Sequence, residues 1–378
     1  MGGRRADERR WRDAVARVMV VFGGRSGEHE VSIASARAVA DALHRSGRHE
    51  VLPVGITREG AWISSGDPMR ELESRAWERA RESAGSPPPK HSQKSFTKLE
   101  VPASERLPVG LDDVDVVFPV LHGPYGEDGT IQGVLEVASI PYVGSGVLAS
   151  AAGMDKVTMK KLFAFHGLPQ VRWLGLSRKE WGEGDRRRRI GEIETALGYP
   201  CFVKPSNLGS SVGINRATNA GELAEALDAA ATLDRRIIVE EGVNAREIEV
   251  SVLGNEEPEV SVPGEIVVTR QEFYDYEAKY TEGGMELNAP ASLSKDTLTE
   301  VYRIARTAYT ALDAAGMARV DFFLERSTGR VLLNEINTIP GFTPTSVYPK
   351  LWAASGLPYE ELLDRLIRLA LERHGASS

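Results

Sequence analysis

Residues 318 to 346 constrain this chain more than any other stretch. Ala318 to Leu324 reads as a strand and Val331 to Asn337 as its partner, with Ser327-Thr328-Gly329 between them. A three-residue hairpin loop ordinarily takes a type I turn closed by Gly in the left-handed region. That geometry pairs Arg326 with Arg330 and, counting back, Asp321 with Glu335 and Arg319 with Asn337. Strand side chains alternate, so these four polar groups share one face, while Val320, Phe322, Leu332 and Ile336 are expected to bury the other. Two carboxylates and a carboxamide crowded together are costly without a cation, and hard oxygen donors suit Mg2+. The alternative is a polar sheet face closed by a salt bridge; the apolar flanks favour a metal site.

At 378 residues the chain exceeds a single typical core, so two or three domains are expected. A net charge of -8 argues against a general nucleic-acid binder. No run of about 18 apolar residues is present to span a membrane. Met1 to Arg17 is Arg-rich but carries Asp7, Glu8 and Asp13, which reads as a disordered leader and not as a secretory signal. One cysteine, Cys201, excludes an internal disulfide and fits a reducing cytoplasm. Placed between Pro200 and Phe202 at the head of an apolar strand, it is expected to be buried packing and not a nucleophile.

Val18 to Phe22 is a continuous apolar run, as in a buried parallel strand. It opens into Gly23-Gly24-Arg25-Ser26-Gly27-Glu28 and then a helix expected to turn Val31, Ile33, Ala34, Ala38 and Val39 inward. Strand, Gly-rich turn and helix form the first unit of a doubly wound sheet, with ligands at the strand's carboxyl end. The turn is not G-x-G-x-x-G, so a dinucleotide site is poorly supported. Glu28 either caps the helix or receives a substrate ammonium. Val51 to Ile56 and Val114 to Leu121 read as further strands, the latter delivering His122 to a Gly-rich loop, as a ligand-facing or a satisfied loop histidine. Around Ser86-Pro87-Pro88-Pro89 the pattern dissolves into a mobile insertion.

A second region opens with Met154-Asp155-Lys156 and a helix carrying Met159, Leu162 and Phe163. Arg186 to Arg189 reads as a solvated surface run more than as a nucleic-acid contact. Tyr199 to Lys204 is a strand leading into Ser206-Asn207-Leu208-Gly209-Ser210-Ser211-Val212-Gly213, a loop whose backbone N–H groups can approach phosphate oxygens. It lacks the P-loop spacing and the chain lacks kinase signatures. Arg236 to Glu241 and Arg246 to Leu253 are strands whose Glu240 and Glu247 either accept from an adenine amino group and a ribose or are edge charges; spacing does not choose. Phe273 to Tyr280, aromatic and charged, suits a lid over a charged ligand. Leu298 to Leu312 has helical period, and a last helix is expected from Pro358, burying Leu362, Leu366 and Leu369 or Ala370.

The ordered set resembles the D-alanine–D-alanine ligases of the ATP-grasp superfamily. The matching stretches are the turn ending at Glu28, His122-Gly123 to Thr130, Met154-Asp155-Lys156, Val203-Lys204-Pro205 to Gly213, Tyr274 to Tyr280, Arg319-Val320-Asp321, and Asn334 to Gly341. They cover roughly residues 18 to 374, outside a leader and inserts near 83–97 and 178–191. The resemblance implies an α/β fold, α+β in its C-terminal half: an ATP-grasp preceded by a Rossmann-like N-terminal domain. The expected division is a leader at 1–17, an N-terminal domain at 18–145, a central subdomain at 146–241 and a C-terminal subdomain at 242–378.

The activity implied is ATP-driven peptide-bond formation between two D-alanines in the cytoplasm, for peptidoglycan precursors, by a homodimer without nucleic-acid or membrane partners. Asp321, Glu335 and Asn337 match ligands of two Mg2+ (or Mn2+) ions. Lys156, Lys204 and Lys279 match phosphate lysines, Glu240 and Glu247 the adenine and ribose contacts, and Ser210, Ser211 and Asn334 further ATP contacts. Glu28, with Ser210 and Tyr280, matches the group receiving the first D-alanine, and His122 lines that subsite. Arg319 and the Gly341 N–H match oxyanion donors, and Ser346 the hydroxyl for the second carboxylate. Ile339, where many relatives have serine, removes a hydroxyl, and Phe342 in place of a common methionine is a packing change. D-lactate or D-serine as second substrate, another ATP-grasp carboxylate–amine ligase, and a nucleotide-binding module without turnover are the alternatives; tyrosine at 280 favours an amine nucleophile.

Overall fold

The computed structural model describes residues 15–74, 114–268 and 285–377. The first sheet has the order β3-β2-β1-β4, from β1 (Ala16–Gly23), β2 (His49–Ile56), β3 (Trp62–Ile63) and β4 (Val116–Pro119). β1 runs parallel to β2 and β4, with α1 (His29–Ser46) as the crossover from β1 to β2. The apolar run of β1 is buried on both faces: Val18, Val20 and Phe22 enter one core, and Met19 and Val21 another. The buried face of α1 is rotated from the expected one. Ala34 is exposed, and Ile33, Ala36, Val39, Ala40 and Leu43 are buried. Ser32 and Ser35 share that face, because Ser32 Oγ donates to the Val120 carbonyl and accepts from Gly23 N, and Ser35 Oγ accepts from Phe342 N. Counting apolar residues alone misplaces a face whose serines are satisfied by neighbouring backbone.

After α2 (Thr130–Val137), α3 (Val147–Met154) and α4 (Lys156–Phe165) comes an antiparallel sheet in the order β5-β8-β6-β7. Its strands are β5 (Trp173–Ser177), β6 (Cys201–Pro205), β7 (Asn215–Ala217) and β8 (Arg236–Glu241), with α5 (Arg178–Glu183), α6 (Arg186–Leu197) and α7 (Ala220–Leu233) supplying the remaining core. Cys201 is buried there as expected, and burial pushes its thiol up to about 11. The arginine run lies on exposed α6, where Arg186 pairs with Asp228 and Arg188 and Arg189 with Glu192.

The third sheet, also antiparallel, has the order β12-β11-β9-β13-β14, with β10 against β9. It comprises β9 (Ala245–Gly254), β10 (Glu259–Val260), β11 (Gly264–Val268), β12 (Met285–Asn288), β13 (Gly316–Glu325) and β14 (Val331–Asn337). α8 (Lys295–Ala311) packs beneath it together with residues of α3 and α4. One mainly parallel sheet, with β3 as an antiparallel edge, followed by two antiparallel ones is the expected α/β arrangement passing to α+β.

The hairpin reaches the expected pairing by a different route. Glu325, not Arg326, closes the loop: its N–H donates to the Arg330 carbonyl at 3.0 Å, and Gly329, at φ +71°, donates to the Glu325 carbonyl. The backbone N–H of Arg326 is drawn to the Asn244 carbonyl at 2.9 Å, so it is not available to Arg330. That lengthens the loop by one residue. A bulge at Asn334 then restores the count, with Phe322 opposite Leu333 but Asp321 opposite Glu335 and Arg319 opposite Asn337. Leu332, expected on the apolar face, pairs with Phe323 and so shares the face of Asp321.

The C-terminal helices α9 (Val347–Ala354) and α10 (Tyr359–Ser377) return to the first sheet. Leu362, Leu366 and Ala370 of α10 share a core with β1 and α1, as does Phe342 from the loop after β14. The Phe342 ring meets Phe118 edge-on at 5.6 Å and Tyr348 at 5.4 Å, which is the packing role expected of it. That core holds the end of the hairpin against the carboxyl ends of the first sheet.

Candidate active site

The polar face of β13 and β14 carries Asp321, Arg319, Glu335 and Asn337 together. Arg319 forks onto Asp321, both contacts at 2.7 Å, and Asn337 Nδ2 donates to Asp321 Oδ2 at 3.1 Å. β9 adds Glu249, directly opposite Asp321, and Glu247 two residues away on the same face. Glu249 is buried and lies 3.0 Å from Arg319 Nε, so the guanidinium is held between two carboxylates.

A second charged group lies where β6 and β8 meet α4. Lys204 Nζ donates to Glu240 Oε2 at 2.6 Å. Lys160, one turn along α4 from Lys156, approaches Glu240 Oε1 at 3.0 Å. Burial alone would raise the Glu240 carboxyl, but Lys160 and then Lys204 overcome it and hold the group at about 2. For Lys204 burial pulls downward and Glu240 prevails, raising it; for Lys160 burial prevails and lowers it.

Lys156 ties these groups to the Ser/Gly loop. Its Nζ donates to the Leu208 carbonyl at 2.9 Å and lies 3.8 Å from Glu335 Oε2. Asp155 caps α4 by accepting from Thr158 N and pairs with Arg236 at 2.8 Å, which fixes the direction in which α4 presents both lysines. In the loop, Ser210 and Ser211 occupy the left-handed region at φ 48° and 58°, a conformation that costs energy for residues other than glycine.

Glu28 does not cap α1 with its side chain. Instead Ser210 Oγ donates to Glu28 Oε1. A Cβ at Gly123 would meet Glu28 Oε2 at 2.8 Å, with φ +73° as a second reason for glycine, and one at Gly209 would meet it at 3.3 Å. Beside this carboxylate, buried His122 faces the Ile339 carbonyl at 3.2 Å and Glu127 at 3.9 Å. Burial lowers the imidazole, and Glu127, Glu28 and that carbonyl reverse the sign, leaving it raised. Its Nε2 has no hydrogen-bond partner among the described residues. Farther along the loop, Ser346 Oγ accepts from Thr343 N at 3.1 Å, and a Cβ at Gly341 would strike it at 2.9 Å.

The residues expected from the sequence thus come from seven stretches of the chain, around Glu28, His122, Lys156, Lys204, Glu240, Arg319 and Glu335, except Lys279 and Tyr280, which lie outside the described residues. Glu247 is half-buried on β9, Asn334 is the bulge residue, and Ser211 neighbours Ser210. Two buried residues escaped notice, Lys160 and Glu249. Each carried a signal: Lys160 stands four residues after Lys156 on one helix face, and Glu249 two after Glu247 on one strand face.

Family models described as D-ala D-ala ligase N-terminus and D-ala D-ala ligase C-terminus match residues 17–145 and 162–368. A D-alanine–D-alanine ligase of Heliobacterium modesticaldum is 50% identical over 361 residues, covering 94% of this chain and 95% of its own length. One from Geobacillus kaustophilus is 48% identical over 363 residues, with 95% of each chain covered. Among solved structures, the D-alanine–D-alanine ligase of Coxiella burnetii superposes with a TM-score of 0.76 at 34% identity, covering 97% of this chain and 96% of that one. The VanG D-Ala:D-Ser ligase of Enterococcus faecalis gives 0.75 at 35% identity, with 94% and 99% covered.

Proposed function

Because this chain belongs to the D-alanine–D-alanine ligase family, we propose that it joins two D-alanines to D-alanyl-D-alanine for peptidoglycan precursors, driven by ATP and Mg2+. The observation that carries this reading is the position of Lys156, which touches both the Ser/Gly loop and the acidic sheet face and so makes one site of them. The donors on that face suit Mg2+. Among the described residues no group of three His, Cys, Asp or Glu converges, so Asp321 and Glu335 need Asn337 as the third oxygen donor. Its Nδ2 donates to Asp321, which leaves Oδ1 as the atom of Asn337 that could serve as that donor. When bound there, Mg2+ neutralises charge on the transferring phosphoryl group.

The first D-alanine is held with its ammonium at Glu28, between Gly123 and Gly209, with Ser210 and Tyr280 completing the group and His122 lining it. One of its carboxylate oxygens attacks the γ-phosphorus of ATP, giving an acyl phosphate and ADP. Lys156, Lys204 and Lys279 bind the phosphates, Glu240 and Glu247 receive adenine and ribose, and Ser211 and Asn334 make further contacts. Catalysis of such a transfer is positioning and charge neutralisation. The second D-alanine, its carboxylate at Ser346, attacks the acyl carbon with a deprotonated amine. Arg319 and the Gly341 N–H stabilise the oxyanion until phosphate leaves and the amide is complete.

The test is coupled ADP release. Purified protein with Mg2+ is expected to consume ATP when given D-alanine and not L-alanine, with one dipeptide formed per ADP. No D-alanine-dependent turnover overturns the reading. Since a D-Ala:D-Ser ligase is as similar in structure as the D-alanine–D-alanine ligase, D-serine and D-lactate belong in the same assay as competing second substrates.

The reading extends to a cytoplasmic homodimer. The lone thiol, Cys201, supports the compartment. Adjacent helices α2 and α3 expose Val137 (89%) and Leu148 (68%), apolar surface that a second copy would cover. Leu148→Glu is expected to shift the protein to the monomer mass in light scattering with its melting curve retained; an unchanged mass moves the interface elsewhere.

A further inference from the structure

Lys160 and Glu240 are buried to 1% and 3% exposure, yet neither has a place in the reaction as drawn above beyond the adenine contact of Glu240. Their geometry is unusual in one respect. Lys160 Nζ and Glu240 Oε1 face each other at 3.0 Å, but neither atom has an aligned hydrogen-bond partner among the described residues. Oε1 therefore keeps an acceptor direction open, while Oε2 is taken by Lys204 at 2.6 Å. On the proposed function Lys204 serves the phosphates, and a lysine that turns to a phosphate leaves Oε2. Glu240 would then be a buried carboxylate with one counter-ion, Lys160, whose own burial keeps it beside the carboxylate.

We propose that Lys160 is a positioning residue for purine recognition: its ammonium keeps Glu240 ionised and in place as an acceptor for the 6-amino group of adenine when Lys204 turns to the phosphates. The proposal rests on the reading of Glu240 as the adenine contact. An ionised carboxylate only accepts, so it welcomes the adenine 6-amino group and repels the 6-oxo group of hypoxanthine. Without its fixed cation the buried carboxyl takes up a proton, becomes a donor, and tolerates the 6-oxo base. Both lysines hold down the Glu240 carboxyl, so Lys160 still does so when Lys204 turns away.

Binding of ATP and of ITP to the full-length protein with Mg2+, followed by calorimetry, tests this without turnover. Lys160→Met and Lys160→Gln are expected to narrow the ATP-over-ITP ratio of Kd about tenfold or more, equivalent to ~1.4 kcal/mol. Lys160→Arg, which restores the charge, is expected to recover most of the ratio, a rescue that a packing role alone does not give. Glu240→Gln, whose amide donates to a 6-oxo group, is expected to narrow it too. A wild-type ratio in whichever neutral Lys160 variant melts cooperatively overturns the proposal. If Glu240→Gln narrows the ratio while that variant does not, Glu240 reads the base without help from Lys160; if neither narrows it, the adenine reading falls as well.

Discussion

Glu335→Gln is expected to lower dipeptide formation by about 10²–10³-fold, the scale on which a lost electrostatic stabiliser acts. The expectation follows from charge, since Gln keeps the size and removes only the anion. Lys156 lies 3.8 Å from the carboxylate, and both side chains keep some solvent, so breaking this pair costs ~1 kcal/mol or less and the protein remains folded. What is lost is a hard anionic donor on the face that would hold Mg2+. Partial recovery of rate as Mg2+ is raised is therefore part of the expected result, and a thermal melt alongside the kinetics separates it from unfolding. A variant with near-normal turnover at low Mg2+ removes Glu335 from the metal-binding set.

Arg319→Lys is expected to slow formation of the peptide bond by a comparable factor of about 10²–10³ while sparing the first half of the reaction. Lysine keeps the charge but not the planar fork that meets Asp321 with two contacts at 2.7 Å and Glu249 with a third at 3.0 Å. A single flexible ammonium between those carboxylates has no reason to point at the developing oxyanion. Rapid-quench measurement distinguishes the steps: a burst of ADP followed by slow appearance of dipeptide is expected. Equal slowing of ADP release and dipeptide formation places Arg319 with the phosphoryl transfer instead.

The pairing of Asp321 with Glu335 was legible in the sequence, although the hairpin departs from a regular three-residue loop in two ways that cancel. The loop is one residue longer than Gly329 alone implies, because Asn244 takes the Arg326 N–H, and Asn334 bulges where Leu333 N–H turns to the Pro169 carbonyl at 2.7 Å. Neither partner is near in the chain, so no local rule finds them. The face of α1 differs from its apolar pattern for a similar reason: Ser32 and Ser35 are satisfied by the distant Val120 carbonyl and Phe342 N–H. For Glu28 the two sequence readings were equally open, and the Ser210 contact, 182 positions away, decided against the cap.

Residue type and spacing alone determined the first strand–turn–helix unit, the acidic character of the hairpin and the burial of Cys201, and the ordered motifs carried the resemblance to the family, since these depend on patterns read within a few residues or along the chain in order. Only the tertiary structure decided which charges neutralise one another: Lys160 and Lys204 on Glu240, Arg319 between Glu249 and Asp321, Lys156 reaching Glu335. Pairing of charges depends on distances of a few ångströms between elements that folding brings together, and burial multiplies its weight, so one-dimensional spacing carries little of it.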